Sequence, residues 1–200
     1  MKLYIIRHGE TQWNVQRRLQ GASDTELNEK GVALAKMTGK ALMDVPFYCC
    51  FTSPLKRARE TARLVLNGRE IPVYSDERIQ EISFGDWEGR ESALLPPSML
   101  DNFFHHTERY QAPEGGEELS QICARTKAFW EDITSREELQ DKTILIASHG
   151  CAVRALLQNV YEDASVENFW HGKVPPNCGV NIVEVRENKA ILLEEDVVYY

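Results

Sequence analysis

The chain has 200 residues and a formal net charge of −8, with 42% hydrophobic and 27% charged residues. That is enough chain for a large domain with a substantial core, and the composition is that of an ordinary globular protein. The acidic balance argues against broad nucleic-acid binding, which needs a basic face, but permits an anionic substrate held by a local arginine cluster. Leu3-Tyr4-Ile5-Ile6 then reads as a strand buried on both faces, and it breaks off into Arg7-His8-Gly9-Glu10-Thr11. Residues 12–21 are polar and basic and read as a loop. Asn28 is placed to cap a helix running to about Asp44, with Val32, Ala35, Leu42 and Met43 among its apolar positions and Pro46 beyond it. Phe47 to Thr52 is a second strand. Ser53-Pro54 opens another helix with proline at its first position, carrying Arg57, Ala58, Thr61, Ala62 and Val65 at helical spacing and stopping at Gly68.

Ile71 to Tyr74 is a third strand, and Asp76 to Gly89, rich in glycine and aromatic residues, suits a compact loop. Residues 90–117 contain Pro96-Pro97, His105-His106 and Pro113 to Gly116, and read as an irregular helical insertion over one end of the sheet. Glu118 to Ile133 is an amphipathic helix. Thr143 to Ala147 is another fully apolar strand, ending in Ser148-His149-Gly150 and followed by a helix from Cys151 to about Val160. Val180 to Val185 and Ala190 to Val198 form a terminal hairpin around Glu187-Asn188. Strands alternating with helices predict an α/β fold, a mostly parallel sheet covered on both faces, and the hairpin makes the sheet mixed. With no linker or repeat in view, residues 1–200 read as one domain.

No apolar run approaches the ~18 residues of a membrane span. The chain opens on a strand and not on a secretory signal, so a cytoplasmic protein is expected. Cys49, Cys50, Cys123, Cys151 and Cys178 include no C-x-x-C pair, so reduced, mostly buried thiols are expected and structural zinc is not.

The chemistry begins with two strands that end alike, Ile6-Arg7-His8-Gly9 and Ala147-Ser148-His149-Gly150. Each delivers a histidine and a glycine to the carboxyl end of a parallel sheet, where α/β folds bind ligands. Arg57, near the start of the helix after the second strand, lies at the same end, so Arg7, His8, Arg57 and His149 can share one pocket with two helix N-termini. Arginine's planar fork matches phosphate oxygens. A histidine serves as a covalent nucleophile when one ring nitrogen is unprotonated, a state that nearby guanidinium groups favour. Glu81 is then the natural proton donor to a leaving alkoxide. Glu10 follows His8 in a pattern that suggests a metal site, but no organised third ligand accompanies it, so no metal is expected. Trp87 and Trp170 read as packing, His105 and His106 as exposed, and Glu194 to Asp196 as a solvated strand end.

On these residues the chain resembles the histidine phosphatase superfamily, the phosphoglycerate mutase-like proteins. The segments that carry the likeness are Arg7-His8-Gly9-Glu10-Thr11 with Trp13-Asn14, Gln20-Gly21, Leu27 with Gly31, Ser53-Pro54-Leu55 with Arg57-Ala58 and Thr61-Ala62, Glu81 with Phe84-Gly85 and Trp87-Glu88-Gly89, and Ser148-His149-Gly150. A weaker echo lies in Asn177-Cys178-Gly179. The resemblance implies a three-layer α/β/α sandwich around a mixed six-stranded sheet. It implies that His8 becomes a transient phosphohistidine and that Arg7, Arg57 and His149 hold the phosphoryl oxygens. Asn14, Gln20, Gly21 and Gly150 would complete the phosphate pocket, and Glu81 would protonate the leaving oxygen and then help activate water. No cofactor or metal is implied. The partner would be a small phosphorylated metabolite, with α-ribazole 5′-phosphate or a sugar phosphate as candidates from the family's range. Where the family often carries proline and threonine before its first long helix, this chain has Glu26 and Asn28. The insertion after Gly89 is short beside that of the mutases, which favours a phosphatase. The alternatives are a cofactor-dependent phosphoglycerate mutase and a non-catalytic phospholigand-binding protein. A homodimer through the sheet edge or the hairpin is left open.

Overall fold

The structure is a computed structural model that describes residues 1–187 and 189–200; Asn188, at the expected hairpin tip, lies outside the described residues. In chain order the elements are β1 (Lys2–Arg7), the single helical turn α1 (Gln12–Val15), α2 (Glu29–Ala41), β2 (Phe47–Thr52), α3 (Lys56–Leu66), β3 (Val73–Ser75), α4 (Pro97–His105), α5 (Leu119–Ser135), β4 (Thr143–Ser148), α6 (Gly150–Leu157), β5 (Val180–Arg186) and β6 (Lys189–Val197). The six strands form one sheet in the order β3-β2-β4-β1-β5-β6. β1, β2, β3 and β4 run parallel, whereas β5 pairs antiparallel with β1 and β6 antiparallel with β5. The expected mixed, mostly parallel α/β sandwich is therefore the fold. Among the described residues no helix is long and apolar enough to cross a membrane.

Side-chain alternation sorts the core into two layers. Leu3, Ile5, Cys49, Phe51, Ile144 and Ile146 face Phe129, Trp130 and Ile133 of α5 and Val153, Leu156 and Leu157 of α6. Ile6, Cys50, Leu145 and Ala147 face Leu34 and Ala35 of α2 and Ala62 and Val65 of α3. Cys49 and Cys50 thus point to opposite layers, as adjacent strand residues must. A third cluster caps the carboxyl end of the sheet: Met99 and Phe103 of α4 pack with Leu19, Ile82, Phe84, Phe169 and Trp170. The 90–117 stretch is α4 flanked by short 3-10 turns at Ser92–Leu94 and Thr107–Arg109.

Several expectations are corrected, among them the strand expected at Ile71 to Tyr74, which is β3 at Val73–Ser75, and the helix expected to run to about Val160, which ends at Leu157. A helical turn, α1, forms inside the stretch expected to be a loop, because Thr11 and Asn14 build a reciprocal capping box around it. α2 ends at Ala41 and not near Asp44. α3 begins at Lys56, two residues after Pro54, because Leu55 is extended and gives its amide to Ser53 Oγ at 3.3 Å. Asp196 is not solvated: its side chain is 1% exposed and accepts from Arg154 Nη2 at 2.6 Å, while Arg154 Nη1 reaches Glu195 Oε1, also at 2.6 Å. Arg154 is itself fully buried on α6, and a buried cation requires such partners.

Two glycines seat the loop after β1. A Cβ on Gly9 would lie 2.6 Å from Gly31 O, and one on Gly31 only 2.1 Å from Glu10 O. The loop that carries His8 therefore lies flat on the first turn of α2, with Asn28 N–H donating to Glu10 O at 2.9 Å. Gly31→Ala is expected to cost about 1–3 kcal/mol in urea unfolding, the range for overpacking, and to lower turnover per folded molecule. Gly39→Ala crowds Leu64 O at 2.6 Å toward the other end of the same helix, and is expected to lose stability while keeping turnover. Equal turnover in both variants would show that the Gly9–Gly31 contact does not seat the loop.

Candidate active site

Pairing of β1 with β4 sets Arg7 opposite Ser148, so the next residues out of each strand, His8 and His149, emerge side by side. Their ring centroids are 5.2 Å apart. The backbone there is held from several sides. His8 N–H donates to Ser148 O at 2.9 Å, Cys178 N–H to Arg7 O at 3.0 Å, Asn177 Nδ2 to His8 O at 3.1 Å, and Gly9 N–H to Thr61 Oγ1 at 3.0 Å.

His8 Nδ1 lies 2.7 Å from Gly9 O. A carbonyl can only accept, so Nδ1 carries the proton and Nε2 of the neutral ring keeps its lone pair. Burial, reinforced by the Arg57 and Arg7 guanidinium groups, pushes the His8 imidazole well below its ordinary pKa of 6.5. Burial and then Arg57 do the same to His149. Both rings are therefore neutral near pH 7.

Arg7, His8, Asn14, Gln20, Gly21, Arg57, Glu81 and Gly150 all line one cavity of about 130 Å³. His149 is fully buried beside His8 and is not part of that lining. Arg57 donates from Nη2 to Gly21 O at 2.7 Å and from Nη1 to Ser23 O at 2.6 Å, and burial lowers its pKa to about 10, which leaves it charged. Arg7 donates from Nη1 to Pro175 O. Three buried nitrogens at this site have no protein partner: Arg7 Nε, Arg57 Nε and His149 Nδ1. Buried polar nitrogens are normally satisfied, so such a group fits an absent anion. Asn14 Oδ1 accepts from the Thr11 amide at 3.0 Å, and Gln20 Oε1 accepts from the Thr11 and Thr25 hydroxyls at 2.8 and 2.7 Å. Fixing both oxygens leaves the two NH₂ groups as donors. Glu81 sits at the N-terminus of α6, where its carboxylate accepts from the Cys151 amide at 3.2 Å and the Ala152 amide at 3.0 Å.

Glu10, in contrast, turns away to Asn28 Nδ2 at 2.9 Å and Lys30 Nζ at 3.0 Å. His105 lines an adjoining groove, and His106 lies between Asp101 and Glu108 at 3.9 Å from each.

The profile of the histidine phosphatase superfamily (branch 1) matches residues 3–196. The chain belongs to the histidine phosphatase superfamily. Among its relatives, the adenosylcobalamin/alpha-ribazole phosphatase of Salmonella typhimurium is 32% identical over 180 residues, covering 89% of this chain and 88% of that protein. The 2,3-bisphosphoglycerate-dependent phosphoglycerate mutase of Cytophaga hutchinsonii is 32% identical over 173 residues, covering 84% of this chain and 81% of that one. The solved structure of Bacillus stearothermophilus YhfR superposes with a TM-score of 0.91 at 36% identity, covering 99% of this chain and 98% of that chain.

This histidine phosphatase also uses residues that sequence reasoning left without a role. Arg125 on α5 donates to the carbonyls of Arg78, Gln80 and Glu81 at 2.9, 2.6 and 3.1 Å and grips Glu117 at 2.7 and 2.8 Å, fixing the segment that presents Glu81. Glu88 accepts from the Ala22 and Phe84 amides at 2.8 and 3.0 Å, tying the Gly21–Ser23 turn that holds Arg57 to the Glu81 side of the site. Most of their partners are backbone groups, at Arg78, Gln80, Glu81, Ala22 and Phe84, which no spacing pattern marks. Trp170 was expected to be packing, and it also forms cavity wall with Phe84, Phe103 and Phe104.

The buried neutral histidines link stability to pH. Unfolding restores the ordinary pKa of 6.5 to His8 and His149, so below that pH the unfolded chain binds protons that the folded chain does not. Their contribution is complete above pH 6.5 and is lost as pH falls. Urea unfolding is expected to show stability declining from pH 7 to pH 5, with a slope smaller by about one proton in His8→Asn. A slope unchanged by that substitution would contradict a buried neutral His8.

Proposed function

We propose that this chain is a metal-independent phosphomonoesterase working through a phosphohistidine on His8, with the whole chain acting as one catalytic domain. The carrying observation is the set of unpartnered buried nitrogens, Arg7 Nε, Arg57 Nε and His149 Nδ1, gathered around a neutral histidine that opens on the cavity. In the first step His8 Nε2 attacks phosphorus, the bond to the ester oxygen breaks, and Glu81 gives its proton to the leaving alkoxide. In the second step water attacks the phosphohistidine, Glu81 takes the water proton, and the nitrogen–phosphorus bond breaks to release inorganic phosphate. Arg7, Arg57, His149, Asn14 and Gln20 supply donors to the phosphoryl oxygens, and the two arginines neutralise developing charge as a metal would elsewhere.

The cavity wall supports a substrate class. Beyond the phosphoryl site the lining is Arg18, Cys151 and the apolar side chains of Leu19, Ile82, Phe84, Phe103, Phe104, Trp170 and Val174. Trp170 donates from Nε1 to Phe103 O at 2.6 Å, which fixes the indole against α4. Phe104, Trp170 and Val174 continue into an outer groove of about 360 Å³. Such a wall suits a planar, apolar leaving group. α-Ribazole 5′-phosphate, whose alcohol carries an aromatic base, suits the ring faces of Phe103, Phe104 and Trp170, and the outer groove adds His105, Glu167, Asn168, His171 and Lys173 as partners for hydroxyls. A mutase must also hold the carboxylate of a sugar acid. In the inner cavity the cation besides Arg7 and Arg57 is Arg18, already engaged with Gly89 O at 2.8 Å and Glu91 at 3.2 Å, and the outer groove adds Lys173, 3.5 Å from Asp196.

With chelator present and no bisphosphorylated primer, the protein is expected to release phosphate from α-ribazole 5′-phosphate and aryl phosphates faster than from sugar phosphates. His8→Ala is expected to abolish release, and Glu81→Gln to slow alkyl esters more than p-nitrophenyl phosphate, whose leaving group needs no proton. Primer-dependent movement of phosphate between the hydroxyls of a sugar acid, with no accumulation of inorganic phosphate, would establish the mutase. Tight phosphate-ester binding without turnover across the panel would establish the binding protein.

A further inference from the structure

The tautomer of His149 decides whether its free nitrogen meets a phosphoryl oxygen with a hydrogen or with a lone pair. His149 Nε2 lies 2.7 Å from Ser53 Oγ, and both residues are fully buried. The Ser53 oxygen already accepts the Leu55 amide at 3.3 Å. Its own proton has one acceptor in reach among the described residues, which is His149 Nε2. When the serine donates, the ring proton sits on Nδ1, and a single buried donor, Nδ1–H, is left without a partner. When the histidine donates instead, the serine proton and a bare Nδ1 are both stranded, and Nδ1 turns a lone pair toward the incoming anion. The first arrangement leaves fewer buried polar groups unsatisfied, and the substrate itself satisfies the one that remains.

We propose that Ser53 is a positioning residue whose hydroxyl donates to His149 Nε2 and thereby holds the His149 proton on Nδ1 as a preformed donor to a phosphoryl oxygen. The proposal rests on the phosphoryl-transfer reading above. The backbone delivers the pair together: Thr52 is in register with Ala147, and Ser53 N–H donates to Ala147 O at 3.0 Å, so one strand pairing places both the serine and the histidine. Burial and Arg57 keep the ring neutral, which is the condition for a hydroxyl to select between tautomers.

Nitrogen-15 spectra of the whole 200-residue chain, labelled in its histidine rings, test this in the resting protein. The His149 signals, assigned by their loss in His149→Gln, are expected to show a protonated Nδ1 and an unprotonated Nε2. Ser53→Ala is expected to lose that fixed tautomer and to weaken orthovanadate binding about tenfold, the scale of one charge-assisted hydrogen bond. Ser53→Thr, which keeps the hydroxyl, is expected to restore both. A wild-type His149 with its proton on Nε2 would overturn the proposal. So would Ser53→Ala retaining both the Nδ1–H signal and the wild-type vanadate affinity. Should Ser53→Ala fail to fold, the wild-type spectrum decides by itself. The spectrum needs no turnover, so its outcome is separate from that of His8→Ala, on which the hydrolase reading stands or falls.

Discussion

The parallel register between β1 and β4 is the constraint on which the site depends. Because Arg7 pairs with Ser148, the two histidine–glycine sequences leave the sheet at the same height, and His8 and His149 become neighbours. A slip of one residue would turn every side chain of β1 to the other layer. The two-layer core forbids that slip, since Leu3 and Ile5 belong to one layer and Ile6 to the other. Packing that looks purely structural therefore sets the geometry of the chemistry.

The local electrostatics run against those of the whole chain. The protein carries a net −8, yet its cavity gathers Arg7 and Arg57 with two neutral histidines beside them. Burying Arg57 completely is tolerable because the Gly21 and Ser23 carbonyls receive part of its guanidinium. Arg7 Nε, Arg57 Nε and His149 Nδ1 are donors without protein partners, and in the proposed reaction a phosphoryl oxyanion is their acceptor, which is how preorganised donors stabilise charge without reorganising. Two clamps keep that arrangement stiff: Arg125 on the Glu81 segment and Glu88 on the turn that holds Arg57.

The fold was largely legible because its strands are short apolar runs bounded by turn residues, and runs of this kind leave little choice of element. The adjacency of His8 and His149 was legible because the same polar break occurs twice. Misreadings fell where tertiary contacts override local pattern. α1 exists by virtue of a side-chain capping box in a polar stretch, and the start of α3 is set by a serine hydroxyl taking the Leu55 amide. Asp196 looked like a solvated carboxylate until a buried arginine from α6 reached it. The wall formed by Phe103, Phe104 and Trp170 joins residues more than sixty positions apart through a bond from an indole to a carbonyl, which no periodicity announces. Ser53 and Arg125 act through other groups, and the sequence gives such residues no distinguishing chemistry.

Covalent phosphorylation of His8 is the claim that everything else serves. The measurement that addresses it most directly mixes the protein with excess p-nitrophenyl phosphate, quenches in alkali within the first turnover, and locates the phosphoryl group by mass spectrometry. An acid-labile, alkali-stable phosphate on the His8 ring, absent from His8→Ala, is the predicted result. Steady turnover with no phosphate on His8, or with the label on another side chain, would contradict it.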